Sequence, residues 1–110
     1  MFHISLNRVH DTVKINEGDD SMILKVDGDP MRMVAGLSAA QKKLQALTKD
    51  STDEESLEAA LFFASVIFGK EQAEKLVAFY HEDAGCVISV CGQYFSERLS
   101  KLIVRLQKRK

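Results

Sequence analysis

The sequence predicts an α+β fold, a short N-terminal β-hairpin followed by a mainly α-helical bundle of about four helices. Two periodicities carry that expectation. Apolar and polar residues alternate through Phe2, Ile4 and Leu6, through Val13 and Ile15, and through Met22, Leu24 and Val26, which is the period of half-buried strands. From Pro30 onward apolar residues instead recur every three or four positions, the period of amphipathic helices. Strands come first and helices after, so the chain lacks the β–α alternation of a parallel sheet. A length of 110 residues suits one domain, residues 1–110, with a hairpin region over 1–28 and a helical region over 29–110.

Asn16-Glu17-Gly18-Asp19-Asp20-Ser21 is turn chemistry, so the spacing predicts a hairpin of 12–16 with 22–26, which 2–8 extends as a possible third strand. Asp27-Gly28-Asp29-Pro30 closes it. Asp29 suits a helix cap, and Pro30 suits a first helical position, where a missing N–H costs nothing. The first helix is expected over about 30–48, with Met33, Val34, Leu37, Ala40, Leu44 and Leu47 inward and Gln41, Lys42, Lys43 and Gln45 wet.

Thr52 with Glu55 three residues on makes a capping box, and Asp53 and Glu54 favour the positive helix N-terminus, so a second helix is expected over about 53–68. After Glu58 its apolar residues cover nearly the whole circumference, which places it centrally in a core. Gly69 is expected to end it in a left-handed cap. A third helix opens at Lys70-Glu71-Gln72 with Ala73, Leu76, Val77 and Tyr80 as its stripe, until His81-Glu82-Asp83 breaks the pattern. The fourth is expected from Asp83 or Ala84 to about 107, repeating through Ile88, Cys91, Phe95, Leu99, Leu102 and Leu106.

Net charge is −1, so the molecule as a whole does not attract nucleic acid or a membrane surface. The distribution is uneven. Asp50, Asp53, Glu54, Glu55 and Glu58 crowd one stretch, while only basic charges follow Glu97. No basic, apolar leader opens the chain, and its longest apolar run, Ala59 to Ala64, is far short of the ~20 residues a membrane span needs. Cys86 and Cys91 fall about 140° apart around one helix and cannot pair within it. The expected location is cytoplasmic, with both thiols free.

Motifs for chemistry are sparse. There is no P-loop, GxGxxG, HExxH or GxSxG, and no cofactor, metal site or catalytic residue is predicted. His81, Glu82, Asp83 and Cys86 gather ligand types, but consecutive side chains on a turn rarely converge on one ion. Asp27 and Asp29 lack the other ligands of a calcium loop. Arg98, Lys101, Arg105 and Lys108 form one helical stripe that suits the helix dipole, an acidic partner or phosphates, without the aromatic interleaving common in nucleic-acid binders. Aromatics are in surplus instead. Phe62, Phe63, Val66, Phe68, Phe79 and Tyr80 are the candidate protein-binding residues, more apolar surface than four small helices readily hide.

The order of elements now suggests a family. A hairpin from Val13-Lys14-Ile15-Asn16 to Met22–Val26 precedes a helix beginning at Asp29-Pro30. An acidic, capped helix then runs into Phe68-Gly69-Lys70-Glu71-Gln72-Ala73-Glu74-Lys75-Leu76, and a last helix packs back. This resembles the tail assembly chaperones of long, non-contractile-tailed bacteriophages and of prophages in Gram-positive hosts. The basic C-terminal run departs from that pattern. The resemblance implies no catalysis. It implies a chaperone that coats the helical tape measure protein and hands it over as tail tube protein polymerises around it. A homo-oligomer in the host cytoplasm is expected beside it, since a core this small gains from association. Two other readings stay open. One is a homo-oligomeric structural or connector protein of the virion, with the aromatics between copies. The other is a small helical module that meets nucleic acid through its basic helix.

Overall fold

The computed structural model describes residues 9–28 and 30–99, with the side chains of 11–28 and 32–97. Two antiparallel strands, β1 (Val9–Glu17) and β2 (Asp20–Gly28), form the hairpin. Four helices follow: α1 (Pro30–Gln45), α2 (Asp53–Phe68), α3 (Lys70–Phe79) and α4 (Ala84–Tyr94). The chain is therefore α+β, as its periodicities predict. A wider π turn, Phe95–Leu99, continues α4. The stretches 2–8 and 100–107, expected as a strand and as the end of the fourth helix, lie outside the described residues, as does the Asp29 cap.

The hairpin is longer than its alternation suggested because its turn is tighter. Only Gly18 and Asp19 lie between the strands, and Glu17 pairs with Asp20. Gly18 has φ 60 and Asp19 does not share the positive φ, the pattern of a II′ hairpin turn, which needs glycine first and matches the strand twist. Asn16, Glu17, Asp20 and Ser21 thereby join the ladder. Period two then sorts the side chains. Ile15, Leu24 and Val26 are buried, with Val13 and Met22 beside them, while Thr12, Lys14, Ile23 and Lys25 face out.

α2 is the axis of the fold, packing against α1, α3, α4 and β2. This is why its circumference is apolar. Ala59, Ala60, Phe63, Ala64, Ile67 and Phe68 are buried, while Leu57, Leu61, Phe62 and Val66 are half-buried. α1 crosses α2 closely at Gly36, where a Cβ would come within 2.8 Å of Val66 Cγ1. The Thr52–Glu55 capping box is formed in both directions, at 3.1 Å each way. α1 ends earlier than expected, at Gln45, because Thr48 gives its N–H to Ser51 Oγ at 2.8 Å and not to the preceding helical turn.

Gly69 ends α2 and caps α3 at once. Its backbone sits at φ 88, ψ 156, and so not in the left-handed cap expected but in an extended, positive-φ region open essentially to glycine alone. Its N–H still closes α2 on Ser65 O and its carbonyl opens α3 through Ala73 N. This one residue folds α2 and α3 into a helical hairpin. The next corner has no glycine. His81 and Glu82 both take positive φ, and the bonds Glu82 N–H to Val77 O and His81 N–H to Ala78 O form a Schellman closure of α3. Asp83 then caps α4 by accepting the Cys86 N–H at 3.2 Å.

Candidate functional site

An apolar concavity lies between α1 and the end of α4. Val34, Leu37, Ser38, Gln41 and Leu44 of α1 form one wall, Phe95 stands opposite, and Phe63 of α2 lies at the floor. The space is about 470 Å³. The lining follows from helix geometry. Met33 and Ala40 of α1 turn into the core, and Leu44, Leu37 and Val34 lie progressively further around the axis from them, by roughly 20–120°, where each residue turns about 100°. They are half-buried, and among the described residues only Phe95 stands opposite them.

The far wall depends on the end of α4. Tyr94 and Phe95 are consecutive, so they leave the helix in different directions. Tyr94 goes inward, tilts against Phe68 with ring centroids 5.8 Å apart, and donates its hydroxyl to Asp11 Oδ2 at 2.8 Å. That bond fastens β1 to α4. Phe95, at the start of the π turn, is left for the groove.

The six aromatic and aliphatic residues singled out from sequence do not share one face. Phe68 is buried against Tyr94, and Phe63 is buried except where it floors the groove. Phe62 is half-buried beneath the Lys43 ammonium, 5.0 Å from the ring centroid, a cation–π contact that draws on a residue assigned to the wet face of α1. Val66 stands at the crossing with Gly36. Phe79 and Tyr80 pack edge to face at 5.1 Å, at the far end of α3. Of the six, only Phe63 lines the groove. Val34, Leu37, Leu44 and Phe95 are not among those six because periodicity assigns them to the core. The signal available was the width of the α1 stripe, which holds Met33 and Ala40 on one side and Val34, Leu37 and Leu44 on another. The Arg98 side chain, Lys101, Arg105 and Lys108 lie outside the described residues.

The cysteines are far from this groove in character. Burial pushes the Cys91 thiol up to about 12. Cys86 is raised by partial burial first, then by its hydrogen bond to Asp83 and that carboxylate's charge, which offset the helix N-terminus it occupies. Tyr80 is raised by burial, with Glu17 and Cys86 adding to it. A raised thiol pKa keeps sulfur protonated, the unreactive form. Among the described residues no three His, Cys, Asp or Glu side chains gather to hold a metal, and no helix is long and apolar enough to cross a membrane. The groove offers a shape, apolar surface and a few side-chain hydrogen-bonding groups, which is the equipment of a binding site for an amphipathic segment. The chain matches no family model, no curated protein and no solved structure.

Proposed function

We propose that this chain is a non-enzymatic assembly chaperone of the phage tail type, and that it holds apolar stretches of a helical tape measure protein in the groove between α1 and Phe95. The observation that carries the reading is the groove itself: three aliphatic residues along one side of α1, a phenylalanine floor and a phenylalanine wall, left uncovered by the rest of the described fold. Val34 to Leu44 spans about 15 Å of helix, room for roughly three turns of a partner helix presenting residues at i, i+3 or i+4, and i+7. A tape measure protein exposes such stripes before the tube closes around it. A shallow groove of modest contacts suits a client that must later be released, since affinity differences between related complexes lie mostly in the dissociation rate.

The test is co-expression with the tape-measure-like protein encoded beside this gene, followed by copurification and native mass spectrometry. The expected result is a soluble complex with several copies of this chain on each long client. A client that stays insoluble beside a closed oligomer of this chain alone would contradict it and favour a structural role in the virion. Binding to duplex DNA that falls steeply with salt would favour the nucleic-acid reading.

A further inference from the structure

The groove between α1 and Phe95 is a vacant helix position, and the chain leaves the described fold at one end of it. α1 runs antiparallel to α2, with Gly36 at Val66 and Lys43 over Phe62. α4 runs parallel to α2, from Ala84 near Leu57 to Tyr94 against Phe68. Phe95 therefore stands at the Val34 end of the groove, and the Leu44 end lies toward the start of α2. The regular turns of α4 stop at Tyr94, and the π turn carries the described chain to Leu99. Ser100 to Lys110 follow in the sequence. Their pattern is amphipathic at the helical period. Leu102, Ile103 and Leu106 fall within about 100° of one another, and Lys101, Arg105 and Lys108 take a separate arc. Leu102 to Lys110 would make roughly 13 Å of helix, against about 15 Å of groove. Ser100-Lys101 has the length of the loops that join antiparallel helices. Charge favours that reversed direction. Glu58 lies one turn before Phe62 on α2, and Glu55 two turns before Phe63, at the end that Lys108, Arg109 and Lys110 would reach. Lys42 of α1 is outnumbered there.

We propose that this position is filled at rest by the chain's own segment 102–110, turned back after Leu99, with Leu102, Ile103 and Leu106 set on Val34, Leu37 and Phe63. The tether selects this occupant. A segment joined a few residues beyond the groove wall meets the groove at an effective concentration in the millimolar range, which a free client does not match. The segment is therefore a built-in competitor. A client binds only the fraction of molecules whose groove is open, and its apparent affinity falls by that fraction. The displacement step rests on the client reading of this groove, whereas the resting contacts need no client.

Methyl and aromatic NMR of the full chain with no client present reads the resting state. The expected result in the wild type is a set of NOEs from the Leu106 methyls to Leu37, arising within one chain when labelled and unlabelled protein are mixed. In the double variant Leu102→Asp, Leu106→Asp, shift changes should concentrate at Val34, Leu37, Phe63 and Phe95. A helical client peptide should then bind the variant at least tenfold more tightly than the wild type. Absence of NOEs between the segment and the groove in the folded wild type would overturn the proposal, whatever the variant does. NOEs that arise only between chains would overturn it too, by seating a second copy in the groove. Equal client affinity for the two forms would overturn the displacement step. A client that binds neither form would contradict the client reading, and the resting NOEs would still decide the occupancy.

Discussion

His81 and Glu82 sit in left-handed backbone with side chains that gain nothing visible from it, and they cost stability that glycine would not. The Schellman bonds need that conformation, whatever residue adopts it. His81→Gly is expected to stabilise the fold by about 1 kcal/mol, and thermal unfolding checks this as a rise of a few degrees in Tm. Cys91 makes the second residue-scale prediction. Its folded pKa is raised from 9.0 to about 12, so its contribution is fully present below pH 9 and is lost as pH rises from 9 toward 12. The unfolded chain ionises this thiol first. Between pH 9 and 10 the wild type should lose stability faster than Cys91→Val, with the difference in slope approaching about 1 kcal/mol per pH unit. Parallel denaturation curves at the two pH values would show that Cys91 is not the buried neutral thiol described. Comparison with the variant cancels Tyr80, whose raised pKa acts in the same direction at higher pH.

The helices stand on local signals of unequal visibility. The capping box of α2 needs only Thr52 and Glu55 and was legible in full, with both bonds formed. Thr52→Ala is expected to cost about 1 kcal/mol in equilibrium denaturation. Gly69 was legible as a stop, but its conformation was not, because a glycine symbol does not distinguish one positive-φ region from another. Space is open around its Cβ position, so the cost of Gly69→Ala is purely one of backbone, roughly 1–3 kcal/mol, read as a lowered denaturation midpoint with an unchanged m-value. α1 ends three residues before its periodicity predicts, since the Ser51 hydroxyl that takes the Thr48 N–H is set by the path of the loop and not by composition. The hairpin alternation was legible over Val13, Ile15, Met22, Leu24 and Val26. The polar residues Asn16, Glu17, Asp20 and Ser21 read as loop, although a two-residue II′ turn let them pair.

At the scale of the molecule, the central position of α2 was legible because an all-round apolar helix has nowhere else to go. The site was much less so. A periodic stripe says that residues are turned toward something, and it does not say whether a neighbour of the same chain is there. Leu37 and Leu44 have the spacing of core residues, and they line a groove only because no element of the described fold covers that side of α1. The aromatic surplus pointed to Phe62, Phe68, Phe79 and Tyr80, yet Phe68 is spent on Tyr94, Phe62 on Lys43, and Phe79 and Tyr80 on each other. Aromatic count measures packing as readily as binding. What distinguishes the groove is the convergence of three helices on an open apolar floor, and convergence is a property of tertiary structure alone.

The most direct test is a titration of the isotope-labelled chain with a helical peptide from the candidate client, followed by methyl and aromatic NMR. Binding in the groove predicts shifts concentrated at Val34, Leu37, Leu44, Phe63 and Phe95, small changes at Ile23 and Phe79, and loss of the response in a folded Leu37→Asp variant. Shifts centred on Phe79 and Tyr80, or none at millimolar peptide, would contradict the assignment of the client to this groove.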